Sequence, residues 1–454
     1  MTSDTTDDAE RTEQGAGAGR TAAAPADPPL PLHRNRDFRR LWVGQACSEL
    51  GSGAAGLAYP LLVLALTGSP VQAGLVGTVR MAAGTLFGLP AGALVDRWNR
   101  RRVLIGCEAL RACAAVGLVA AIIGSRASLP LILVVAVVEG GAGALFGPAQ
   151  TAAVRHIVPA GQLPTAAARN EARGYAAELA GPPLGGALFA VARWAPFLAD
   201  AISYVVSLIA VWLIRRPLRD EHPDQPEHPD RPEPLGRAVW SGLRFVVGEP
   251  FLRAVLVLAP LANAAFSGVL FVLVVVLLQR GTPPAAVGAV QSAIMVGGLL
   301  GALAAPWLQP RIRVQALIVG FLWVVAGLVA AAAFVPGSYP VAALLALAIL
   351  PAPTLNAALV GYQIAVTPDR MQGRVDSAIG LLAQCLQPLA PLLGGLVVAW
   401  WGGRGGFLVF AGILAVAAVV ASLSNGIRNL RPLSEVAPEV DHLPTGGASG
   451  PPGS

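Results

Sequence analysis

The chain has 454 residues, 55% of them hydrophobic and 13% charged, with a mean hydropathy of +0.62. An ordinary soluble domain carries about 25% charged residues, and a soluble fold of this chain would expose large apolar patches, so the class is integral membrane protein. The net charge of +6 comes from 32 basic residues, all arginine; in a membrane protein such an excess concerns how loops divide across the bilayer, and nucleic acid is not an expected partner.

The first residues, 1–35, are acidic and rich in Gly, Ala and Pro, with no apolar core for a cleavable signal; a disordered tail is expected. A spanning helix needs about 20 mostly apolar residues. Twelve stretches qualify, at 41–66, 72–95, 102–124, 129–151, 168–191, 195–214, 251–278, 285–307, 314–335, 339–361, 374–399 and 405–427. Between the sixth and seventh lies "RRPLRDEHPDQPEHPDRPEP", too polar and proline-dense to span anything. The expected organisation is a six-helix bundle over 36–214, a linker over 215–245, a second six-helix bundle over 246–427 and a polar tail over 428–454. The fold class is therefore all-α, twelve transmembrane helices in two halves.

Arginine sets the orientation. If the N-terminus is cytoplasmic, inside connections hold Arg34, Arg36, Arg39, Arg40, the Arg97–Arg102 cluster, Arg155, Arg169, Arg173, Arg311, Arg313, Arg370 and Arg374, besides those near the linker and tail. Outside loops then hold only Arg126, Arg193, Arg280 and Arg404. Both termini are expected in the cytoplasm. An internal repeat agrees: at one offset, Gly92-Ala93-Leu94 meets Gly301-Ala302-Leu303, Pro159 meets Pro368, Pro182 meets Pro391, and Leu184-Gly185-Gly186 meets Leu393-Gly394-Gly395. Two parallel halves with a substrate site between them is a transporter architecture.

The connection after the second helix reads "GALVDRWNRRRVL". Its arginines fix helix ends at an anionic leaflet, Gly92 allows close helix approach, and Asn99 stands where a left-handed turn residue is expected. Asp96 among arginines forms charge-assisted bonds that can exist in one conformation only. The stretch resembles the signature loop of the major facilitator superfamily, Gly-x-Leu-x-Asp-Arg-x-Gly-Arg-Arg-x-x-Leu, with Asn99 in place of the usual Gly. The resemblance covers about residues 36–427. It implies that Gly92, Asp96, Arg97, Arg100 and Arg101 latch the two halves on the cytoplasmic face; Ala305 takes the place of Asp96 in the second half. "NRDFRRLWVGQ", "FGPAQTAAVRHIVPAGQLPTAAARN" and "TPDRMQGRVDSA" are similar to the branch of bacterial macrolide-efflux proteins and the enterobactin exporter. "ELAGPPLGGAL", with Gly181, Pro182, Gly185 and Gly186, resembles the helix-five motif of drug antiporters. The basic residue such antiporters carry in helix four is missing, and Glu139 lies there instead.

Charges inside a bilayer are costly enough to mark function. The first half holds Glu49, Arg80, Glu108, Arg111, Glu139, Glu178 and Asp200, whereas the second offers only amides such as Asn263, Gln291 and Asn356. A titrating group for proton coupling therefore belongs to the first half. Helices one, four, seven and ten line the cavity in the superfamily, which implies Glu49 and Glu139 facing Asn263 and Asn356. Glu139 lies about 15 Å into its helix, near the midplane. Glu178 is a third candidate. Glu108 and Arg111, three apart, are expected to pair, Arg80 to pair with a carboxylate of a neighbouring helix, and Asp200 to cap helix six near the outer surface.

The expected function is export of a bulky amphipathic molecule (drug, antibiotic or siderophore) across a bacterial inner membrane. A proton gradient would drive it, with no cofactor or metal and the protein a monomer in the lipid bilayer. An importer or a lipid-flipping protein is the alternative. With no lysine the chain has no phosphate loop, so ATP is not a partner. The five histidines sit in loops and tails, where no catalytic constellation can form, so the protein is not expected to be an enzyme. The four cysteines fall in apolar segments as buried small hydrophobes. The linker's His222 and His228 belong to a solvated tether.

Overall fold

A computed structural model describes residues 32–215 and 235–430; the expected tails and most of the linker, His222 and His228 included, lie outside the described residues. These fold as helices joined by short turns, with no strand among them. The first part holds α1 (Arg36–Thr67), α2 (Pro70–Arg97), α3 (Arg100–Ile123), α4 (Leu129–Ile157), α5 (Leu163–Val191) and α6 (Ala195–Trp212). After the linker come α7 (Leu235–Gly248), α8 (Pro250–Gln279), α9 (Pro284–Leu308) and α10 (Val314–Ala332). The last are α11 (Ser338–Ile349), α12 (Ala352–Val366), α13 (Gln372–Ala383), α14 (Ala390–Leu423) and α15 (Asn425–Arg428).

Local chemistry sets the ends. Asn35 accepts from the Phe38 N–H at 3.1 Å and starts α1, and Gly68, left-handed at φ +65°, ends it. Asn99 is not the left-handed turn residue the loop pattern implies. At φ −67° it is the N-cap of α3, its side chain accepting from the N–H groups of Arg101 and Arg102. An amide oxygen supplies what a glycine could not, which accounts for Asn at this position.

Nine stretches among the described residues are long and apolar enough to cross a membrane; α2 and α5 are not among them. α2 carries Arg80, and α5 carries Arg169, Glu171, Arg173 and Glu178. Conversely, Gln372–Leu423 is one apolar stretch of 52 residues, and a helix of that length would be about twice the thickness of a bilayer. It is broken at 384–389, around Pro388, and turns at Gly402, whose φ of +69° no residue with a Cβ adopts without strain. α11 and α12 are likewise broken at Leu350–Pro351. α7, which the sequence reading left in the linker, packs against α13 and α8.

Core packing divides the molecule by depth. One apolar cluster joins both parts of the chain, with Leu62, Val76, Phe197, Val272, Val290 and Phe410 among its members. At the opposite end, where the Arg97–Arg102 connection lies, the cores are separate. Phe38, Leu104 and Phe146 belong to one, Phe251, Leu322 and Tyr362 to the other. The two parts of the chain thus converge at one end and separate at the other.

The convergent end is built from Pro-x-x-x-Gly, written four times: Pro70–Gly74, Pro182–Gly186, Pro284–Gly288 and Pro391–Gly395. The copies interlock in pairs. Gly74 lies on the Pro391 carbonyl and Gly395 on that of Pro70; Gly186 lies on the Pro284 carbonyl and Gly288 on that of Pro182. A Cβ at any of the four would collide with backbone. Two hydrogen bonds lock the crossings. The Leu392 N–H donates to Thr78 Oγ1 at 3.2 Å, and the Ser292 hydroxyl donates to the Leu179 carbonyl. That carbonyl is free because Pro183, four residues on, has no N–H.

Candidate functional site

Beneath this seal lies a cavity of about 550 Å³, lined by both parts of the chain and mostly apolar. Ser52 and Tyr59 of α1, Arg80 of α2, Glu178 of α5, Phe271 of α8 and Gln291 of α9 contribute to it. Its volume is that of a pocket for a drug-sized molecule. Arg80 and Glu178 supply one charge of each sign. The expected partner of Arg80 is not found: no carboxylate stands within ion-pair distance of it among the described residues. Glu178, named above only as a third candidate, lines the cavity from α5.

Glu49 and Glu139, expected in the cavity, are elsewhere. Glu49 is clamped by Arg173 of α5, which donates from Nε at 2.9 Å and Nη2 at 2.7 Å. Arg173 is 6% exposed, so the pair is well sheltered. Glu139 is buried on α4, which packs chiefly against α2 and α3. Asn263 and Asn356 do not face them. Asn263 donates to the Ala383 carbonyl at 3.0 Å, tying α8 to the end of α13, and Asn356 is exposed on α12.

A buried polar cluster fills the space behind the cavity wall. Arg111 lies 3.9 Å from Glu108, donates to Ser52 Oγ at 3.0 Å and stacks 4.1 Å from the Tyr204 ring centroid. Glu108 also accepts from Ser207 at 2.7 Å and Ser48 at 3.3 Å. Asp200 is not an end-cap at the surface: it is fully buried, five residues into α6, and meets Ser52 Oγ at 3.4 Å. Asp200, Ser203, Tyr204 and Ser207 form one polar stripe at helical spacing on an otherwise apolar helix. Gln45, Ser48 and Ser52 repeat the pattern on α1. These stripes are the signal by which the sequence could have announced the cluster, and reading acids singly misses it.

The arginine-rich connection is engaged within the first part of the chain. Arg100 meets His156 at 2.8 Å and Arg101 donates to the Trp212 carbonyl, while Arg97 is exposed. The side chain of Asp96 lies outside the described residues. Gly92 makes no close helix approach here, since a Cβ on it would meet open space. In helix five, by contrast, Gly181 and Gly185 close on Gly53 and Ala54 of α1 and Gly186 on α9, so the small residues do serve packing. All four cysteines are free thiols; Cys107 is buried as expected, but Cys113 and Cys385 are exposed.

The chain is 28% identical over 399 residues to the multidrug efflux pump Tap of Mycolicibacterium fortuitum, covering 84% of this chain and 93% of that one. It is 24% identical over 403 residues to macrolide efflux protein A of Streptococcus pyogenes, covering 87% and 97%. Its fold is similar to a bacterial homologue of the human lysosomal transporter Spinster, crystallised inward-facing and unoccupied, with a TM-score of 0.68 at 16% identity over 87% of this chain and 97% of that one. The family profile described as Major Facilitator Superfamily matches residues 41–313. The protein is therefore a membrane transporter and not an enzyme, and it belongs to the Major Facilitator Superfamily.

Proposed function

We propose that the protein is a secondary active exporter of bulky amphipathic small molecules, working by proton antiport across a bacterial inner membrane. The observation that carries this reading is the cavity between the two parts of the chain, large, mostly apolar and bearing Arg80 and Glu178 as its charges. Apolar walls hold varied hydrophobic bodies, and two isolated charges orient polar groups without demanding one shape. Efflux by the similar Tap and macrolide proteins supports the direction.

The twelve-helix architecture is part of the proposal. α1 to α6 would be the first six spans, α8, α9 and α10 the next three, and the broken pair α11–α12 the tenth. α13 with the first part of α14 would be the eleventh, and α14 beyond Gly402 the twelfth. With both termini cytoplasmic, the interlocked prolines and glycines close the outer end and the conformation faces inward. α7 then lies at the cytoplasmic surface, and Asp96 with its arginines acts as the latch of the opposite, outward-facing state.

Everted membrane vesicles, energised to an acidic lumen and followed with a pH-sensitive dye, test the function. Macrolides, cationic dyes and siderophores are added in turn. Dye recovery with one class, weakened in Glu178→Gln, is the expected outcome. No recovery with any of them, from protein shown to be inserted and folded, sinks proton-coupled export of those compounds; phospholipid movement without a gradient would then favour lipid flipping.

A further inference from the structure

α5 and α9 meet at the interlocked Pro182–Gly186 and Pro284–Gly288, and the Ser292 hydroxyl on the Leu179 carbonyl closes the crossing. Helical spacing carries the same two faces on toward the opposite end of the molecule. On α9, Leu299 and Leu303 follow Gly288 and Ser292; on α5, Tyr175, Ala172 and Ala168 precede Leu179. None of these five is covered. Tyr175 is 67% exposed, Leu299 51% and Leu303 73%, and Ala168 and Ala172 are exposed with them. The crossing is the apex of a cleft whose apolar walls part below it. Its inner edge runs into the cavity, which Glu178 lines from α5 and Gln291 and Met295 line from α9.

The foot of the α9 wall is basic. The Arg311 guanidinium stacks on Trp307, 4.2 Å from its ring centroid, and donates to the Trp307 carbonyl. Arg313 is exposed just beyond, and Arg169 is exposed on α5. Among the described residues no carboxylate lies within ion-pair distance of any of these three arginines. Glu171 does not oppose Arg169, since helical spacing sets it on the other side of α5. From Met295 at the cavity to Trp307, α9 rises about 18 Å, against about 15 Å for the hydrocarbon of one leaflet. Apolar wall, indole and guanidinium therefore follow one another in the order of acyl chain, glycerol and phosphate in a phospholipid. A free anion would use the arginines alone and a neutral apolar compound the wall alone; an anionic phospholipid uses both.

We propose that the cleft between α5 and α9 is a binding site for an anionic phospholipid. Arg311 and Arg313 hold its phosphate, and one acyl chain lies along Leu303 and Leu299 toward Met295. α5 faces the chain with Tyr175 and offers Arg169 to the headgroup. A chain lodged there has to leave before α5 and α9 can approach each other at this end, so the lipid acts as a wedge that favours the open cleft. The site is independent of the proton-antiport reading and of which compound the cavity takes.

The test places the full chain in phosphatidylcholine nanodiscs with phosphatidylglycerol that carries a diazirine near the end of one acyl chain. After illumination, peptide mapping is expected to find the label on Tyr175, Leu299 and Leu303. Arg311→Gln and Arg313→Gln are each expected to lower that labelling about fivefold. Labelling of Val324, exposed on α10 and a reporter of ordinary bilayer contact, should not change. The same diazirine on phosphatidylcholine should label Val324 equally and the cleft far less. Equal labelling of the cleft by both lipids, or no loss in the arginine variants, overturns the site and leaves general bilayer contact only. A cleft closed to both lipids and crosslinked to a second copy of the chain overturns it as well. Should Arg311→Gln fail to fold, Arg313→Gln decides, because its side chain makes no hydrogen bond among the described residues. With the native cysteines replaced, phosphatidylglycerol is also expected to lengthen the mean distance between spin labels at Thr165 and Gln309; an unchanged distance overturns the wedge.

Discussion

Arg173 makes Glu49 half of a clamp between α1 and α5, two helices that also pack along Gly53 and Gly181. Removing the acid alone leaves a sheltered guanidinium without its partner. Glu49→Ala is expected to lower stability by about 1–3 kcal/mol, less than a fully buried pair would lose because Glu49 itself is 32% exposed. Thermal unfolding in detergent checks this, and Arg173→Met in the same background should recover part of the loss. The charges of the cavity act on substrate instead. Arg80→Ala is expected to weaken transport of anionic and zwitterionic compounds and spare cations, while Glu178→Gln does the reverse; uptake ratios across a charge series read this directly. At this scale the sequence was half legible. It marks which residues are too costly to sit in a bilayer by accident, Glu139 and Arg80 among them. It does not say who faces whom, because Glu49 meets a residue 124 positions away.

At the scale of elements, the four Pro-x-x-x-Gly crossings make a prediction that side-chain chemistry would not. Valine at Gly186 or Gly288 forces β-branched bulk against the backbone of the opposing helix, a strain of about 1–3 kcal/mol. The expected result is an equilibrium displaced about 5- to 150-fold from the convergent arrangement, seen as a lengthened α5–α9 distance by double electron–electron resonance. Ser292→Ala should act in the same direction but more weakly, by about 1 kcal/mol, since it removes one hydrogen bond. The repeat of Pro182 and Pro391 was readable as a repeat; its partners Pro70 and Pro284 were not, because they fall at a different offset and first meet the others in space. Breaks inside apolar stretches were also hidden. Nothing in the composition of Gln372–Leu423 separates the residues that span from those that turn, and only the φ of Gly402 does so.

For the whole molecule, the division between one shared core and two separate ones predicts access from one side. With the four native cysteines replaced, a cysteine at Gln291 or Ser267, both lining the cavity, should react with an impermeant thiol reagent from the side bearing the Arg97–Arg102 connection. It should be protected from the other side; equal reaction from both faces would contradict the convergent seal. The global plan was the most legible level. Helix periodicity, length and arginine placement are properties of the chain taken segment by segment, whereas the cavity and the buried acids depend on how segments pack.

The convergent end also sets where control can be exercised. Its contacts are carbonyl oxygens against glycine backbones, closed by a threonine and a serine hydroxyl. None of these groups changes charge between mildly acid and mildly alkaline water, and none is screened by salt. A seal of that kind responds to geometry alone. Acidity, ionic strength and lipid charge do not act on these contacts directly, so the door at the convergent end has no lock of its own and is opened by force transmitted from elsewhere in the molecule.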